Sequence, residues 1–463
     1  MSAEPNPAEA LAALWRLAAL PAESLSFAHL TGRDPVYPSS FPVATAAQST
    51  IAAAALAACE VGHARGTPRQ TVAVDAAHAA ADCLGWFSID GRVPDLWDRF
   101  SGLYRTRDGW VRIHANFAHH RDGALRLLGL DPATADRAAA EQALLQWDAQ
   151  AFEDAAAQAG LVATRMRSFA EWDATAAGQA VAGQPLFTIT RLGDAPPLAL
   201  PALREDQRPL EGIRVLDLTR ILAGPVGGRA LAAYGADVML VNAPHLPNIE
   251  AIADTSRGKR SALVDLRSDE GRATMQSLQA CAHVFLQGYR PGGLQALGFG
   301  PQEAAAHRPG IVYVSLTAYG TQGPWKDRRG FDSLVQTAMG FNHAEAEAAG
   351  DPAKPRPLPM QILDEATGYL IALGAGAALV RQQREGGSWH VQVSLAQTGH
   401  WLRHLGRVRD GFGVTPPALD GFLETSASAH GELRGVRHAA QLGRTPARWI
   451  RPSVRPGDSP PRW

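Results

Sequence analysis

Short apolar runs alternate with helical segments from residue 212 onward, and this alternation limits the fold more than any other feature of the chain. The runs are rich in Val, Ile and Leu, as buried strands are. They occupy residues 213–218, 237–241, 262–266, 284–286 and 311–316. Strands separated by helices pair in parallel, because a long crossover returns the chain to the same edge of the sheet. We therefore predict an α/β fold, with a Rossmann-like parallel sheet that carries helices on both faces.

The part of the chain before residue 212 has a different pattern. Alanine- and leucine-rich stretches at 8–20 and 44–64 predict helices, and residues 71–75 alternate like a short strand. Asp108-Gly109 joins two alternating runs, which is the strongest short signal for a hairpin. Amphipathic helices are predicted at 120–130, 133–145 and 148–159, and residues 182–211 are proline-rich and lose periodicity.

These patterns divide the chain into five predicted segments. They are a helical part (1–95), a smaller α+β domain (96–191), a linker (192–211), the Rossmann-type domain (212–405) and a Pro/Arg-rich tail (406–463). We expect most of the tail to be extended or irregular, because Pro and Gly interrupt regular structure.

Composition restricts the kinds of partner. The 44 basic and 45 acidic residues nearly cancel, so no overall field attracts nucleic acid or an anionic membrane. The three cysteines, Cys59, Cys83 and Cys281, lack metal-ligand spacing and fit a reducing compartment. The first residues show no signal-peptide pattern, and no run approaches eighteen uninterrupted apolar residues. We expect a soluble cytoplasmic protein without a nucleic-acid or membrane partner.

One carboxylate stands at the start of an otherwise apolar helix predicted in 361–385. Asp364 precedes a stripe of Leu and Ala at three- and four-residue steps, and Gly386-Gly387 supplies a stop. An Asp in this position is an ordinary helix cap, kept ionised by the helix dipole. The alternative interpretation is a catalytic carboxylate, and the residue pattern alone leaves both open.

A weak internal repeat accompanies that helix. Residues 43–82 follow the order of 362–401: helix, glycine break, Val-x-Val strand, helix. When the strands 72–74 and 391–393 are aligned, Thr45 lies opposite Asp364, so the first copy lacks the carboxylate. Chance similarity of two alanine-rich helices is the competing explanation.

Other candidate motifs are weaker. A glycine-bearing turn at 217–228 opens a helix and lets backbone N–H groups approach a phosphate, although tight packing explains such glycines equally well. The cations of 257–260 suit phosphates or a solvated loop. His400 and His404 share a helix face, but no carboxylate at a fixed offset supports a metal site, and His119-His120 show no informative spacing.

Several sequence motifs in the second part of the chain resemble those of one enzyme family. The motifs are Gly212–Arg220 with Ala223-Gly-Pro, Gly235-Ala-Asp-Val, Arg257-Gly-Lys-Arg-Ser, Tyr289-Arg-Pro-Gly, Leu297-Gly-Phe, Tyr319–Pro324, Gly330-Phe-Asp332 and Asp364–Gly368. With these motifs, residues 212–405 resemble the family III CoA-transferases, the group of formyl-CoA transferase, carnitine CoA-transferases and α-methylacyl-CoA racemase. Residues 43–190 are similar to a diverged second half of the same fold.

The resemblance implies a mechanism and a set of contacts. Asp364 is the nucleophile that attacks an acyl-CoA thioester, giving a mixed anhydride and later an aspartyl-CoA thioester, so that CoA passes to a second carboxylic acid. No metal takes part, and members of the family typically form interlocked homodimers. The resemblance assigns CoA contacts to Leu222, Ala223, Val264, Tyr289, Leu297 and Phe331, with Arg257, Lys259 and Arg260 as candidates for its phosphates.

Departures from the family pattern keep two alternatives open. Gly288, Ala296 and Asn242 replace the family's usual Asn, Arg and acidic residue. Gly288, Ala296 and the first copy without the carboxylate motivate one alternative, a catalytically inactive CoA- or acyl-CoA-binding homologue. A 2-methylacyl-CoA racemase or isomerase needs a pair of bases at Cα, and racemase members use a His where this chain has Phe331.

Overall fold

The computed structural model describes residues 5–463; residues 1–4, which begin the segment where no signal peptide is expected, lie outside the described residues. The helices are α1 (Pro7–Ala18), α2 (Val43–Ala64), α3 (Ala76–Asp82), α4 (Ala118–Leu127), α5 (Arg137–Leu144), α6 (Ala149–Gln158), α7 (Phe169–Asp173), α8 (Ala176–Ala182), α9 (Ala223–Ala233), α10 (Ile252–Thr255), α11 (Asp269–Ala280), α12 (Pro301–His307), α13 (Asp332–Met339), α14 (Phe341–Ala348), α15 (Ile362–Glu385) and α16 (Leu395–His404). The strands are β1 (Ala28–Thr31), β2 (Val72–Asp75), β3 (Phe87–Ile89), β4 (Gly102–Arg105), β5 (Trp110–Ile113), β6 (Ala163–Arg165), β7 (Phe187–Gly193), β8 (Arg214–Leu218), β9 (Asp237–Asn242), β10 (Arg260–Leu263), β11 (Val284–Gln287), β12 (Val312–Thr317), β13 (Ser388–Ser394), β14 (Leu423–Ser428), β15 (Gly431–Val436) and β16 (Gln441–Leu442).

A seven-stranded sheet forms the centre, in the order β10-β9-β8-β11-β12-β13-β7. Its first six strands are parallel and β7 runs antiparallel to β13. Helices cover both faces, over separate apolar clusters, so the predicted α/β class is confirmed. β7 was not predicted; it contains no proline, and its place at the sheet edge depends on antiparallel pairing with β13, which lies far away in sequence.

The small domain has a core of its own. β4, β5 and β6 form an antiparallel sheet, and α4, α5 and α6 pack on it through residues such as Tyr104, Leu144 and Phe152. The predicted Asp108-Gly109 hairpin is confirmed, since Arg105 pairs with Trp110 across the turn.

Two long apolar helices, α2 and α15, pack in the main core beside the sheet. By length and composition alone both pass as candidate membrane spans, but 100% and 94% of their most apolar stretches are buried inside the fold. A buried core helix passes the same test, because it is apolar on every side. The predicted N-terminal segment therefore shares its core with the Rossmann-type domain.

A buried ion cluster joins α3, α9 and α15. Arg229 on α9 is 2% exposed and lies 3.1 Å from Asp82, and it also pairs with Asp254. The hydroxyl of Tyr369 donates to Asp82 over 2.9 Å. Because unpaired buried charges are costly, this cluster fixes the position of α15 relative to the N-terminal segment.

The C-terminal tail is largely irregular, as expected, but it contributes three strands that the sequence did not indicate. β14 and β15 form a hairpin that pairs with β3, and β16 pairs with β2. Beyond them, the N–H of Ser459 donates to the carbonyl of Ser261 on the edge strand β10 over 2.7 Å. The tail thus covers a strand edge that would otherwise be open to pairing.

Candidate active site

A cavity of about 360 Å³ opens where the central strands end. Its walls come from the turns after β8, β11 and β12, from the loop 326–331, and from the small domain. The carboxyl ends of parallel strands are the usual ligand site of such sheets, because the turns leave a crevice there. Asp364, the third residue of α15, lines this cavity.

Asp364 lies at the border between buried and accessible. Its exposure is 9%, and it is the only carboxylate among the described residues that line the cavity. Burial, followed by the charge of Asp332, raises its pKa well above the ordinary value, while the backbone N–H of Ala223 counteracts the rise. Asp364 does not cap its own helix, which was the first interpretation of this residue. Its carboxylate instead faces the backbone N–H of Ala223, the first residue of the neighbouring helix α9.

The N-terminus of α15 is held by Asp332, the first residue of α13. Its Oδ2 accepts the N–H of Asp364 over 2.9 Å, and its carboxylate also accepts from Gln336 and from the N–H of Leu363. Burial raises the pKa of Asp332 to about 6, against the opposing charge of Arg112. Two buried carboxylates therefore adjoin at the start of α15.

Close packing of α9 on α15 brings the Ala223 N–H to Asp364. A Cβ on Gly368 would lie 2.7 Å from the carbonyl oxygen of Ala223, and a Cβ on Gly227 would lie 3.0 Å from that of Gly368. Only glycine permits this approach. Before the helix, Ile221 has φ +77°, a left-handed conformation that is rare for a β-branched residue.

The cavity is strongly cationic. Its lining includes Arg220, Arg290, Lys326, Arg328 and Arg329. Arg328 pairs with Glu153 at 3.3 Å, whereas the other four take part in no ion pair within residues 5–463. Positive charges that are not neutralised by protein carboxylates favour anionic ligands such as phosphates and carboxylates.

The small domain supplies one wall of the same cavity. Phe117, His119 and His120 line it, and Arg329 donates from Nη1 to Nε2 of His120 over 3.0 Å. Burial and neighbouring charges lower the pKa of His120 to about 4, so its imidazole is neutral and can accept this bond. Arg220 lies over the ring of Phe117, 5.6 Å from its centroid.

Five of the ten predicted site residues meet at the cavity. Asp364, Leu222, Ala223, Tyr289 and Phe331 line it. The α9 helix begins earlier than the sequence indicated, so Leu222 is its N-cap and Ala223 its first residue. These residues come from separate turns that the parallel sheet brings to one edge.

The three predicted phosphate ligands are elsewhere, which corrects that interpretation. Lys259 is fully buried, with Nζ 2.9 Å from Asp217 and 2.8 Å from the carbonyl of Pro225. Arg257 is 3% exposed and pairs with Asp254 and Glu424. Arg260 pairs with Asp237 at 2.8 Å on the outer strand. Internal carboxylates satisfy all three cations, so none is available at the cavity.

Val264 and Leu297 are also outside the cavity. Both pack in or against the apolar cluster on the other face of the sheet, with Val264 only 5% exposed. Val264 follows β10 rather than lying within it. An apolar side chain near a strand end can contact either a ligand or the apolar core. Here both side chains contact the core.

Sequence reasoning assigned none of the five cations in the cavity lining to the site. The missed residues are Arg220, Arg290, Lys326, Arg328, Arg329 and, from the small domain, Phe117, His119 and His120. Arg220 and Arg290 stand inside turns that the resemblance had already singled out. A search for basic residues that directly follow each predicted parallel strand would have found them.

No metal centre accompanies the cavity in the described part of the chain, where no group of three or more His, Cys, Asp or Glu side chains is placed to hold an ion. His400 and His404 do lie together on α16, with ring centroids 4.3 Å apart, and His404 Nδ1 is 2.7 Å from the carbonyl of His400.

Comparison with known proteins identifies relatives for the part of the chain that forms the cavity. The family model described as CoA-transferase family III matches residues 210–405. A succinate–glutarate CoA-transferase of Agrobacterium fabrum is 34% identical over 274 residues, which are 51% of this chain and 67% of that protein. A probable fatty acyl-CoA transferase of Mycobacterium tuberculosis is 34% identical over 220 residues, 43% of this chain and 55% of that protein.

A third relative is an acyl-CoA transferase of Gibberella moniliformis, 32% identical over 315 residues, 64% of this chain and 55% of that protein. The chain thus spans little more than half the length of two of these relatives. Among solved structures, a crystal structure of the M. tuberculosis protein Rv3272 is 34% identical and covers 43% of this chain and 57% of that chain, with a TM-score of 0.38.

Proposed function

Because the chain belongs to the family III CoA-transferases, we propose that it moves CoA from an acyl-CoA to a carboxylic acid, with Asp364 as the nucleophile. One observation carries the proposal: a half-sealed carboxylate at the head of a helix lines a cavity whose other charged groups are cationic. A volume of about 360 Å³ is in the range of small-molecule sites.

The proposed reaction needs no oxidant and no external base. A carboxylate oxygen of Asp364 attacks the thioester carbonyl carbon, the C–S bond breaks, and CoA leaves as thiolate with the bonding electrons. The thiolate then attacks the aspartyl carbonyl of the mixed anhydride, which releases the first acid and leaves an aspartyl-CoA thioester. A second carboxylate repeats these two steps in reverse, and Asp364 is regenerated.

The neighbouring groups have separate proposed roles. The N–H of Ala223 already donates to Asp364 and can stabilise negative charge on an adduct oxygen there. The apolar side chains Leu222 and Phe331 would exclude water from the anhydride. The helices α9 and α15 both begin at this point, and the positive ends of their dipoles favour negative charge there.

We propose that the unpaired cations of the cavity take over the phosphate contacts first assigned to residues 257–260. Arg290 and Lys326 are exposed and suit the phosphates of CoA. Arg220 and Arg329 are half-buried and form part of the cavity wall. This division would compensate for Gly288, Ala296 and Asn242, the departures from the family pattern.

The acid substrates are proposed only by class. Names of the relatives include dicarboxylic acids in one case and fatty acyl groups in another. The excess of positive charge favours acids with a second negative group. A thermal-shift panel of free CoA, dicarboxylyl-CoAs and fatty acyl-CoAs tests this, because the ligand that binds tightest raises the melting temperature most.

Trapping of the adduct separates an enzyme from an inactive binding homologue. The protein is mixed with an acyl-CoA, quenched with hydroxylamine or acid, and digested, and the mass of the Asp364 peptide is measured. A transferase gives a mass shift on Asp364 that is lost in Asp364→Ala, while Asp351→Ala, at an exposed loop position, keeps it. Binding of acyl-CoA without any adduct would support the inactive homologue instead.

Two further proposals concern the alternatives and the assembly. Phe331 has no proton-accepting atom, so we expect no deuterium at Cα when a 2-methylacyl-CoA is incubated with the protein in D₂O. Wash-in of deuterium would favour the racemase or isomerase. We also propose that the protein is a cytoplasmic homodimer. Light scattering measures the mass of the particle in solution and tests the dimer.

A further inference from the structure

We propose that Asp332 is a positioning residue for the reaction of Asp364: it fixes the first turn of α15 and, as a second carboxylate, opposes the ionisation of the nucleophile. The inference rests on the proposed function, in which Asp364 must ionise before it attacks. It assigns a role to a residue that lies outside the cavity lining.

The geometry of the cap supports the first part. The N-cap of α15, Gln361, makes no side-chain capping bond. Asp332, which belongs to another helix, instead accepts the N–H of Asp364 over 2.9 Å, and the N–H of Leu363 lies close enough to oppose the rise in the pKa of Asp332. Because the backbone of the nucleophile is itself bonded to Asp332, the position of the Asp364 side chain depends on this contact.

The N-terminal segment contains the same device without the nucleophile. Asp34 accepts the N–H of Ala44 over 3.1 Å and that of Thr45 over 2.7 Å. Thr45 is the third residue of α2, as Asp364 is the third residue of α15, and neither helix is capped by its own N-cap residue.

The surroundings of the two caps also correspond. Each capping Asp closes a Gly-x-Asp triplet, Gly32-Arg33-Asp34 in the first case and Gly330-Phe331-Asp332 in the second. The helices connect to parallel strand pairs in both cases, β1 with β2 and β12 with β13. The two helix starts therefore correspond in their caps, with Thr45 in the place of Asp364.

The comparison separates capping from chemistry. Both aspartates hold two N–H groups at a helix start, so both should stabilise the fold in the same way. Only Asp332 has a second carboxylate beside it, because Thr45 supplies a neutral hydroxyl at the corresponding position. A loss of stability in both variants therefore reports on capping, whereas a shift in the pH dependence of the Asp364 reaction reports on the charge of Asp332.

Charged groups around the pair come from several elements. Arg112 on β5 faces Asp332, and Glu365 follows Asp364 on α15 and in turn faces Arg229 on α9. On the cavity side, the half-buried cations are Arg220, Arg328 and Arg329, of which Arg328 is paired with Glu153.

The balance of these charges fixes the sign of the expected effect. The charge of Asp332 raises the pKa of Asp364, after burial, which is the larger cause. Replacing Asp332 by neutral Asn should lower that pKa, so that Asp364 ionises at lower pH. Replacing Arg112 leaves the charge of Asp332 less compensated and should act in the opposite direction.

The experiment compares Asp332→Asn with Asp34→Asn. Each full-length variant is mixed with acyl-CoA over a range of pH, and the rate of adduct formation on Asp364 is followed by quenching and mass spectrometry. Each variant loses one acceptor oxygen, because an amide has only one, so we expect both to melt at lower temperature than the wild type at acidic pH, where the aspartates are protonated in the folded state as well. Only Asp332→Asn should move the midpoint of the pH–rate profile, by about one unit toward lower pH, while Asp34→Asn leaves it unchanged.

A third variant, Arg112→Gln, keeps both caps and should move the midpoint to higher pH, which preserves the test if Asp332→Asn does not fold. Unchanged midpoints in Asp332→Asn and Arg112→Gln would reduce Asp332 to a helix cap and overturn the inference. A wild type that forms no adduct at any pH would remove the proposed function, and the inference with it. An adduct whose pH profile is insensitive to both substitutions would remove the inference alone.

Discussion

The ring of Phe331 stacks on that of His114, with centroids 3.9 Å apart and an angle of 11° between the planes. Phe331 belongs to the cavity wall and His114 to the small domain, whose core is otherwise separate. The wall beside Asp364 is thus supported by the N-terminal half of the chain.

We predict an energetic coupling across this stack. In a double-mutant cycle with Phe331→Ala and His114→Ala, the free energies of unfolding should deviate from additivity by about 0.5–1.5 kcal/mol, as for other stacked aromatic pairs. Urea unfolding measures it. Phe331→Ala combined with His400→Ala, whose ring packs on His404 and not on Phe331, serves as control and should be additive; additivity in both cycles would contradict the prediction.

Asp364→Asn should stabilise the protein at neutral pH. A carboxyl whose pKa is raised by folding binds more protons in the folded state, so the free energy of unfolding falls as pH rises above the ordinary pKa of 3.8. The neutral amide removes that loss. We expect a gain in the free energy of unfolding at pH 7, because the amide does not carry the free-energy cost of ionising a buried carboxyl.

The control for this prediction is pH itself. Thermal or urea unfolding of wild type and Asp364→Asn should give converging stabilities below pH 4, where the carboxyl is protonated in both states. A variant that is less stable than the wild type at pH 7 would argue that Asp364 supports the fold.

Lys259→Met should damage the fold rather than CoA binding directly. Removal of one partner of a buried ion pair leaves Asp217 uncompensated, which costs about 3–5 kcal/mol. Lys354→Met, at an exposed position, should change the free energy of unfolding by less than about 0.5 kcal/mol. If Lys259→Met unfolds like the wild type but binds CoA weakly, the original phosphate assignment is restored.

Arg329→Gln should weaken acyl-CoA binding by about tenfold, because a charge-assisted contact of about 1.4 kcal/mol is lost. Titration calorimetry at two salt concentrations gives the affinity, and the difference from wild type should shrink in high salt. Arg126→Gln, an exposed change on α4, should bind like the wild type. Equal affinity of both variants would mean that Arg329 only supports His120.

Ile221→Gly should slow adduct formation without lowering stability. Glycine adopts φ +77° without strain, so the variant gains about 1–3 kcal/mol from relief of strain, which offsets lost apolar contacts. The turn before α9 then holds the Ala223 N–H less firmly. Ile221→Val keeps the restricted backbone and should react like the wild type. An undiminished adduct rate in Ile221→Gly would show that this turn needs no fixed conformation.

Local signals were sufficient to predict most of the fold. The Asp108-Gly109 hairpin and the alternation of strands and helices depend on neighbours in the chain, and both were confirmed. β7 was missed because its place in the sheet depends on pairing with β13, whose residues lie far away in sequence.

The site was predictable only in part, and Lys259 shows why. Its spacing beside two arginines suggested a phosphate loop, but its partner Asp217 stands on a different strand and faces the same buried point. No spacing rule reports where a long side chain ends. Asp364 could be placed at the cavity because its helix position and its motif agreed, whereas His119 and His120 reach the cavity only through docking of the small domain.

The packing of α2 on α15 has a consequence for biosynthesis. During translation α2 leaves the ribosome long before residues 362–385 are made. Its apolar surface therefore stays exposed to solvent until α15 has been synthesised and packs on it. We expect nascent chains stalled before residue 362 to depend on chaperones, and completed chains to lose that dependence.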